Sequence, residues 1–140
     1  MRILIIDSDK ELSSKIDDKL KDLGYQCDIV ENADDGNYFL DIRNYNLILI
    51  DFDILKINSL DYLTNIKTIY TKSSVIVLSN TQGKEDEINV LMAGADDYIR
   101  KPIDLDILQI RIEVKLRFGA SNIIEINELI ISPEEEKIIY

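Results

Sequence analysis

The chain has 140 residues, enough for one domain with its own core, and its 46% apolar and 31% charged residues suit a soluble globular fold. One cysteine, Cys27, and no histidine exclude an internal disulfide framework and a Cys/His zinc site. A formal net charge of −11 speaks against nucleic-acid binding by these residues and favours a cation or a basic protein surface as partner.

The elements follow in order. Arg2 to Ile6 is a short apolar run that reads as a first strand; it is too short for a signal peptide. No run reaches the length of a membrane span, so a cytoplasmic protein with no membrane partner is expected. Leu12, Ile16, Leu20 and Leu23 recur at helical spacing, with Ser8 or Asp9 as cap and Gly24 as stop. Gln26 to Val30 is a weaker strand, in which Cys27 reads as a small buried residue or, alternatively, a redox sensor. Asp34 to Ile42 is a short helix carrying Tyr38 and Phe39. Leu47-Ile48-Leu49-Ile50 is an unbroken aliphatic run that stops at Asp51, as a strand buried on both faces does. Leu60, Leu63, Ile66 and Tyr70 mark another helix, and Val75 to Leu78 another buried strand, ended by Ser79-Asn80. Lys84 to Met92 is helical up to Ala93-Gly94, and Tyr98-Ile99 is a brief strand before Lys101-Pro102.

From Leu105 to Phe118 the pattern fits either a strand or a helix with two apolar stripes. The alternation of strands and helices favours the helix. One stripe is Leu105, Leu108, Ile112 and Leu116. The other, Ile103, Ile107, Ile110, Val114 and Phe118, needs a second partner, and a dimer interface supplies one. The plain alternative is a helix sunk in its own core. Gly119 to Asn122 reads as a linker, and residues 123–140 as short strands opening a second domain.

Five alternations predict an α/β, flavodoxin-like, doubly wound sheet of five parallel strands, plus a short C-terminal β segment. Its carboxyl edge gathers Asp7, Asp9, Asp51 and Asp53, with Ser79 and Lys101 close by. Crowded carboxylates need a cation, and Mg²⁺ suits hard oxygen ligands; Asp7, Asp51 and Asp53 are the candidate set. An aspartate there can accept a phosphoryl group, a lysine can meet its oxygens, and a serine can donate a hydrogen bond.

These residues resemble the receiver domain of a two-component response regulator over 1–118. The resemblance implies Asp51 as phospho-acceptor, Ser79 and Lys101 as phosphoryl-contacting residues, and a cis Lys101-Pro102 bond. Gly94 to Pro102 is very similar to the OmpR/PhoB subfamily, which implies Tyr98 as a switch and a symmetric dimer face made by the fourth helix, fifth strand and fifth helix. Asp97 and Arg111 match members of that face's salt-bridge set, beside Ile107, Ile110 and Val114. A sensor histidine kinase is the implied partner. Residues 123–140 resemble the first strands of a winged-helix domain, through whose missing remainder DNA would be bound. The chain departs at Ser8, where a second acid is usual; at Leu55, where proline is usual; and at Asn80, where a small residue is usual. Parts of it also resemble orphan regulators of the HsrA/CosR type, taken to be standing dimers without a phosphorylation switch. Two mechanisms stay open: a switch at Asp51, or a standing dimerisation module, which Ser8 favours. A Mg²⁺-dependent phosphohydrolase with Asp51 as nucleophile and Asp53 as acid/base is the alternative function. A nucleotide-binding flavodoxin-like domain is disfavoured, because no glycine-rich phosphate loop follows the first strand.

Overall fold

The computed structural model describes residues 1–54 and 59–117. The linker and strands expected over 119–140, together with Phe118 and Leu55, lie outside the described residues. The elements are β1 (Arg2–Ile6), α1 (Lys10–Lys21), β2 (Gln26–Val30), α2 (Ala33–Ile42), β3 (Leu47–Asp51), α3 (Ser59–Ile69), β4 (Ser74–Ser79), α4 (Lys84–Met92), β5 (Asp97–Arg100) and α5 (Leu105–Arg117). A single 3₁₀ turn, Phe52–Ile54, follows β3.

The strands form one sheet in the order β2-β1-β3-β4-β5, every pairing parallel. Alternate side chains leave a strand on opposite faces, so an aliphatic run supplies two layers at once. Ile3, Ile5, Leu47, Leu49, Ile76 and Leu78 pack on one face with Ile16 and Leu20 of α1 and Leu108, Ile112 and Leu116 of α5. Leu4, Ile6, Ile48, Ile50, Val75 and Val77 pack on the other with Leu40, Leu63, Ile66 and Val90 of α2, α3 and α4. The central strands are therefore buried on both faces, as their sequences predict.

Local signals set the helix ends. Asp9 caps α1, its side chain accepting the Leu12 N–H at 3.1 Å. Asn32 caps α2 by accepting the Asp35 N–H at 2.8 Å. Gly36 lies where α2 crosses β1; a Cβ there would stand 2.7 Å from Ile6 Cδ1. Gly94 has φ +122°, a backbone few other residues adopt, and it turns the chain from α4 into β5.

The residues from Leu105 onward form a helix, and the two stripes part as expected, with one revision. Leu108, Ile112 and Leu116 are buried, whereas Ile107, Ile110 and Val114 are 51%, 58% and 41% exposed. Ile103, assigned to the outer stripe, packs instead against the α1/α5 core. No helix among the described residues is long and apolar enough to cross a membrane.

Candidate functional site

The strand register builds the site. Ile6 pairs with Ile50, so the next residues, Asp7 and Asp51, emerge side by side. Asp51 pairs with Leu78, which puts Ser79 one step beyond it, and Ser79 pairs with Arg100, which puts Lys101 one step further. The Lys101 N–H donates to the Ser79 carbonyl at 2.8 Å, and the Lys101-Pro102 bond is cis.

The two acids are held by the same local turn. The Asp9 N–H donates to Asp7 Oδ1 at 2.9 Å, and the Asp53 N–H donates to Asp51 Oδ1 at 3.1 Å. Each carboxylate keeps its Oδ2 for the pocket. Lys101 Nζ lies 3.3 Å from Asp51 Oδ2 and 3.7 Å from Asp7 Oδ2. Two carboxylates against one ammonium leave the pocket one negative charge over. Burial pushes the Asp51 carboxyl above its ordinary range and the charge on Asp7 pushes the same way, against the Asp53 N–H and Lys101.

Asp7 Oδ2 is buried with no hydrogen-bond partner. A lone carboxylate oxygen beside a second acid suits a hard cation, and a site with two carboxylates leaves room for the waters Mg²⁺ retains. Of the expected set Asp7, Asp51 and Asp53, the third is engaged elsewhere, and neither Ser8 nor Asp9 supplies a substitute. Ser8 is exposed and is not an acid. Asp9 is occupied as the cap of α1. Asp53 is exposed, and its Oδ2 accepts the Asn80 N–H at 3.0 Å. Among the described residues no set of three or more Asp, Glu or Cys side chains converges as a metal cage. A cleft of about 550 Å³ opens beside the pocket, between α1 and the β5–α5 loop, lined by Asp9, Lys15, Asn80, Lys101 and Ile103 among others.

Ser79 is buried and faces a partner that sequence reasoning missed. Its Oγ lies 2.9 Å from Thr81 Oγ1 and accepts the Thr81 N–H at 3.1 Å. Thr81 Oγ1 lies 2.6 Å from the Tyr98 hydroxyl. A hydroxyl two residues past a strand end was the only available signal. Tyr98 is 6% exposed, and the Arg100 guanidinium covers its ring at 5.5 Å. Glu87 of α4 holds Arg100 at 2.6 Å.

β5 is an edge strand, with α4 on one side of the sheet and α5 on the other. Asp97 and Arg111 pair within the chain, Arg111 donating from one nitrogen to both carboxylate oxygens at 3.0 Å. Ile88, Leu91 and Met92 of α4 are exposed, as are Ile107, Ile110 and Val114 of α5.

Residues 3–113 match the response regulator receiver domain. The chain belongs to that family. It is a receiver domain of the OmpR/PhoB type. It is 33% identical over 129 residues to the transcriptional regulatory protein DltR of Streptococcus agalactiae, covering 92% of this chain and 57% of that protein. The chain thus spans little more than half the length of this curated relative. Among solved structures it resembles HP1043, an orphan response regulator of H. pylori, at a TM-score of 0.77 and 36% identity over 84% of this chain and 97% of that one. A second is an atypical orphan response regulator described as having a phosphorylation-independent mechanism, at a TM-score of 0.76, 36% identity and the same coverage of 84% and 97%.

Proposed function

We propose that this receiver domain regulates transcription as a symmetric dimer, joined through α4, β5 and α5, that forms without phosphorylation. The observation that carries this reading is the exposed apolar stripe on each of the two helices that flank β5. Ile88, Leu91 and Met92 recur at helical spacing on α4, and Ile107, Ile110 and Val114 do so on α5. Apolar side chains exposed on both helices that flank β5 suit an interface, and a two-fold axis covers the same residues on both copies. Asp97 and Arg111 sit within that surface and position its polar rim.

Asp51 keeps the acceptor position. Its carboxylate oxygen can attack a donor phosphorus as the donor's leaving group departs, with Lys101 and Ser79 meeting the phosphoryl oxygens. A sensor histidine kinase would reach it through the cleft beside Lys101. Asp7 and Asp51 would hold Mg²⁺, and the ion would offset the excess negative charge. Asp53 is the third candidate, but its carboxylate would first have to leave Asn80. The missing acid at Ser8 and this commitment of Asp53 support a dimer that does not wait for the phosphoryl group. The mechanism described for the atypical orphan neighbour supports the same view. The protein works in the cytoplasm. DNA is bound only through a winged-helix domain beginning near residue 123, after a linker at 119–122. The phosphohydrolase alternative fares worse, since its acid/base, Asp53, is tied to a backbone N–H.

Sedimentation of the purified chain, with and without Mg²⁺ and beryllofluoride, tests the reading. A dimer in both conditions is expected. A monomer that dimerises only with the mimic would make Asp51 an obligatory switch, and a monomer throughout would discard the α4–β5–α5 interface.

A further inference from the structure

Tyr98 is turned inward, and a small set of side chains keeps it there. The ring is 6% exposed. Its hydroxyl has Thr81 Oγ1 at 2.6 Å. Thr81 is anchored in turn, through its N–H and its hydroxyl, to the buried Ser79 Oγ. Arg100 lies over the ring and is held by Glu87. We infer that Thr81 is the positioning residue that locks Tyr98 inward, and so presets the dimer face. This deepens the phosphorylation-independent reading above and rests on it.

The chemistry turns on one phenol. A buried O–H without an acceptor is costly, whereas a buried site with neither partner polar is nearly neutral. With Thr81 present, the inward ring satisfies its hydroxyl. Replacing the Thr81 hydroxyl by a methyl of similar volume leaves the phenol unmet inside, and it is met again only if the ring turns out to water. The loss of such a bond shifts the inward-to-outward ratio by roughly tenfold or more. The outward ring would pull away from Arg100, whose hold on Glu87 ties β5 to α4. If the phenol in turn is removed, the inward ring needs no acceptor, and the inward state returns without Thr81's hydroxyl.

Removing the phenol should therefore suppress the loss of the threonine. Four forms of the 140-residue chain are compared with wild type: Thr81→Val, Thr81→Ser, Tyr98→Phe, and Thr81→Val with Tyr98→Phe. Dimer affinity is read by sedimentation. The Tyr98 ring carbon is read by NMR on ¹³C-tyrosine-labelled protein, its signal assigned by its loss in Tyr98→Phe. Thr81→Val is expected to shift the Tyr98 signal and weaken the dimer about tenfold. Thr81→Ser should restore both readouts, and the double variant should restore the dimer. An unmoved Tyr98 signal in Thr81→Val overturns the lock. So does a double variant as weak as Thr81→Val alone, because a mere packing defect would not be rescued. A wild-type chain that is monomeric refutes the dimer proposed above instead, and the lock then stands or falls on the Tyr98 signal.

Discussion

Ile110→Ala gives the sharpest test of the dimer face. Ile110 is 58% exposed at the middle of the α5 stripe. Burying a whole isoleucine side chain is worth about 1.5–3 kcal/mol, so covering the exposed part of this one is worth about 1 kcal/mol per copy. A symmetric dimer contains the residue twice, and the substitution should cost about 2 kcal/mol of association. That is about a 30-fold rise in Kd. Sedimentation equilibrium over a concentration series measures it. Tyr38→Ala is the control: Tyr38 is 61% exposed on α2, which packs beside β1 and β2 at the far end of the sheet. A change below about threefold for Ile110→Ala, or an equal change for Tyr38→Ala, would refute the assignment of the interface to α5.

Asp51 binds its proton more readily folded than unfolded, so its contribution is fully present below the ordinary value of 3.8 and is lost as the pH rises through the raised value. Asp51→Asn should therefore show a higher urea midpoint than wild type at neutral pH, and the two should converge in acid; equal midpoints throughout would contradict the shift. Lys101→Met leaves two buried carboxylates without their cation and should cost about 3 kcal/mol in urea unfolding. Adding Asp7→Asn to that variant should recover part of the loss, and no recovery would mean the acids do not repel. The Cys27 thiol is pushed up to about 12 by burial and by Asp17, so iodoacetamide should label it far more slowly in the native chain than in urea. Equal labelling rates would count against that placement.

Much of this architecture is legible in side-chain type because the sheet is buried on both faces. The runs Arg2–Ile6 and Leu47–Ile50 suit little except strands of a covered sheet, and their ends locate Asp7 and Asp51 directly. The Lys84–Met92 helix has the bounds its residues suggest. β4 is longer than its apolar run, because ladder hydrogen bonds are indifferent to polarity and carry Ser74 and Ser79 along with the apolar residues. Asp9 lies near the other acids in sequence, whereas its nearest use is local: the first free N–H groups of α1 lie within its reach. Thr81 does not stand out in the sequence, since its role depends on Tyr98 arriving from another strand. The same holds for Asp28, on which Arg2 of β1 and Arg43 and Tyr45 of the α2–β3 loop converge. Chain order carries periodicity well and long-range polar convergence hardly at all.

β5 is four residues long, half-buried, and hydrogen-bonded to a neighbour on one side only. The burden of keeping the domain folded falls on β1, β3 and β4, whose aliphatic side chains are shut away on both faces. The strand that carries Tyr98 is thus among those the fold can most easily spare from its duty. In the proposed dimer, changes at Asp97 or Arg100, both only half-buried, would retune how two copies meet at little cost to the core. In such a division of labour, new regulatory behaviour can arise at one margin of the sheet while its interior stays the same.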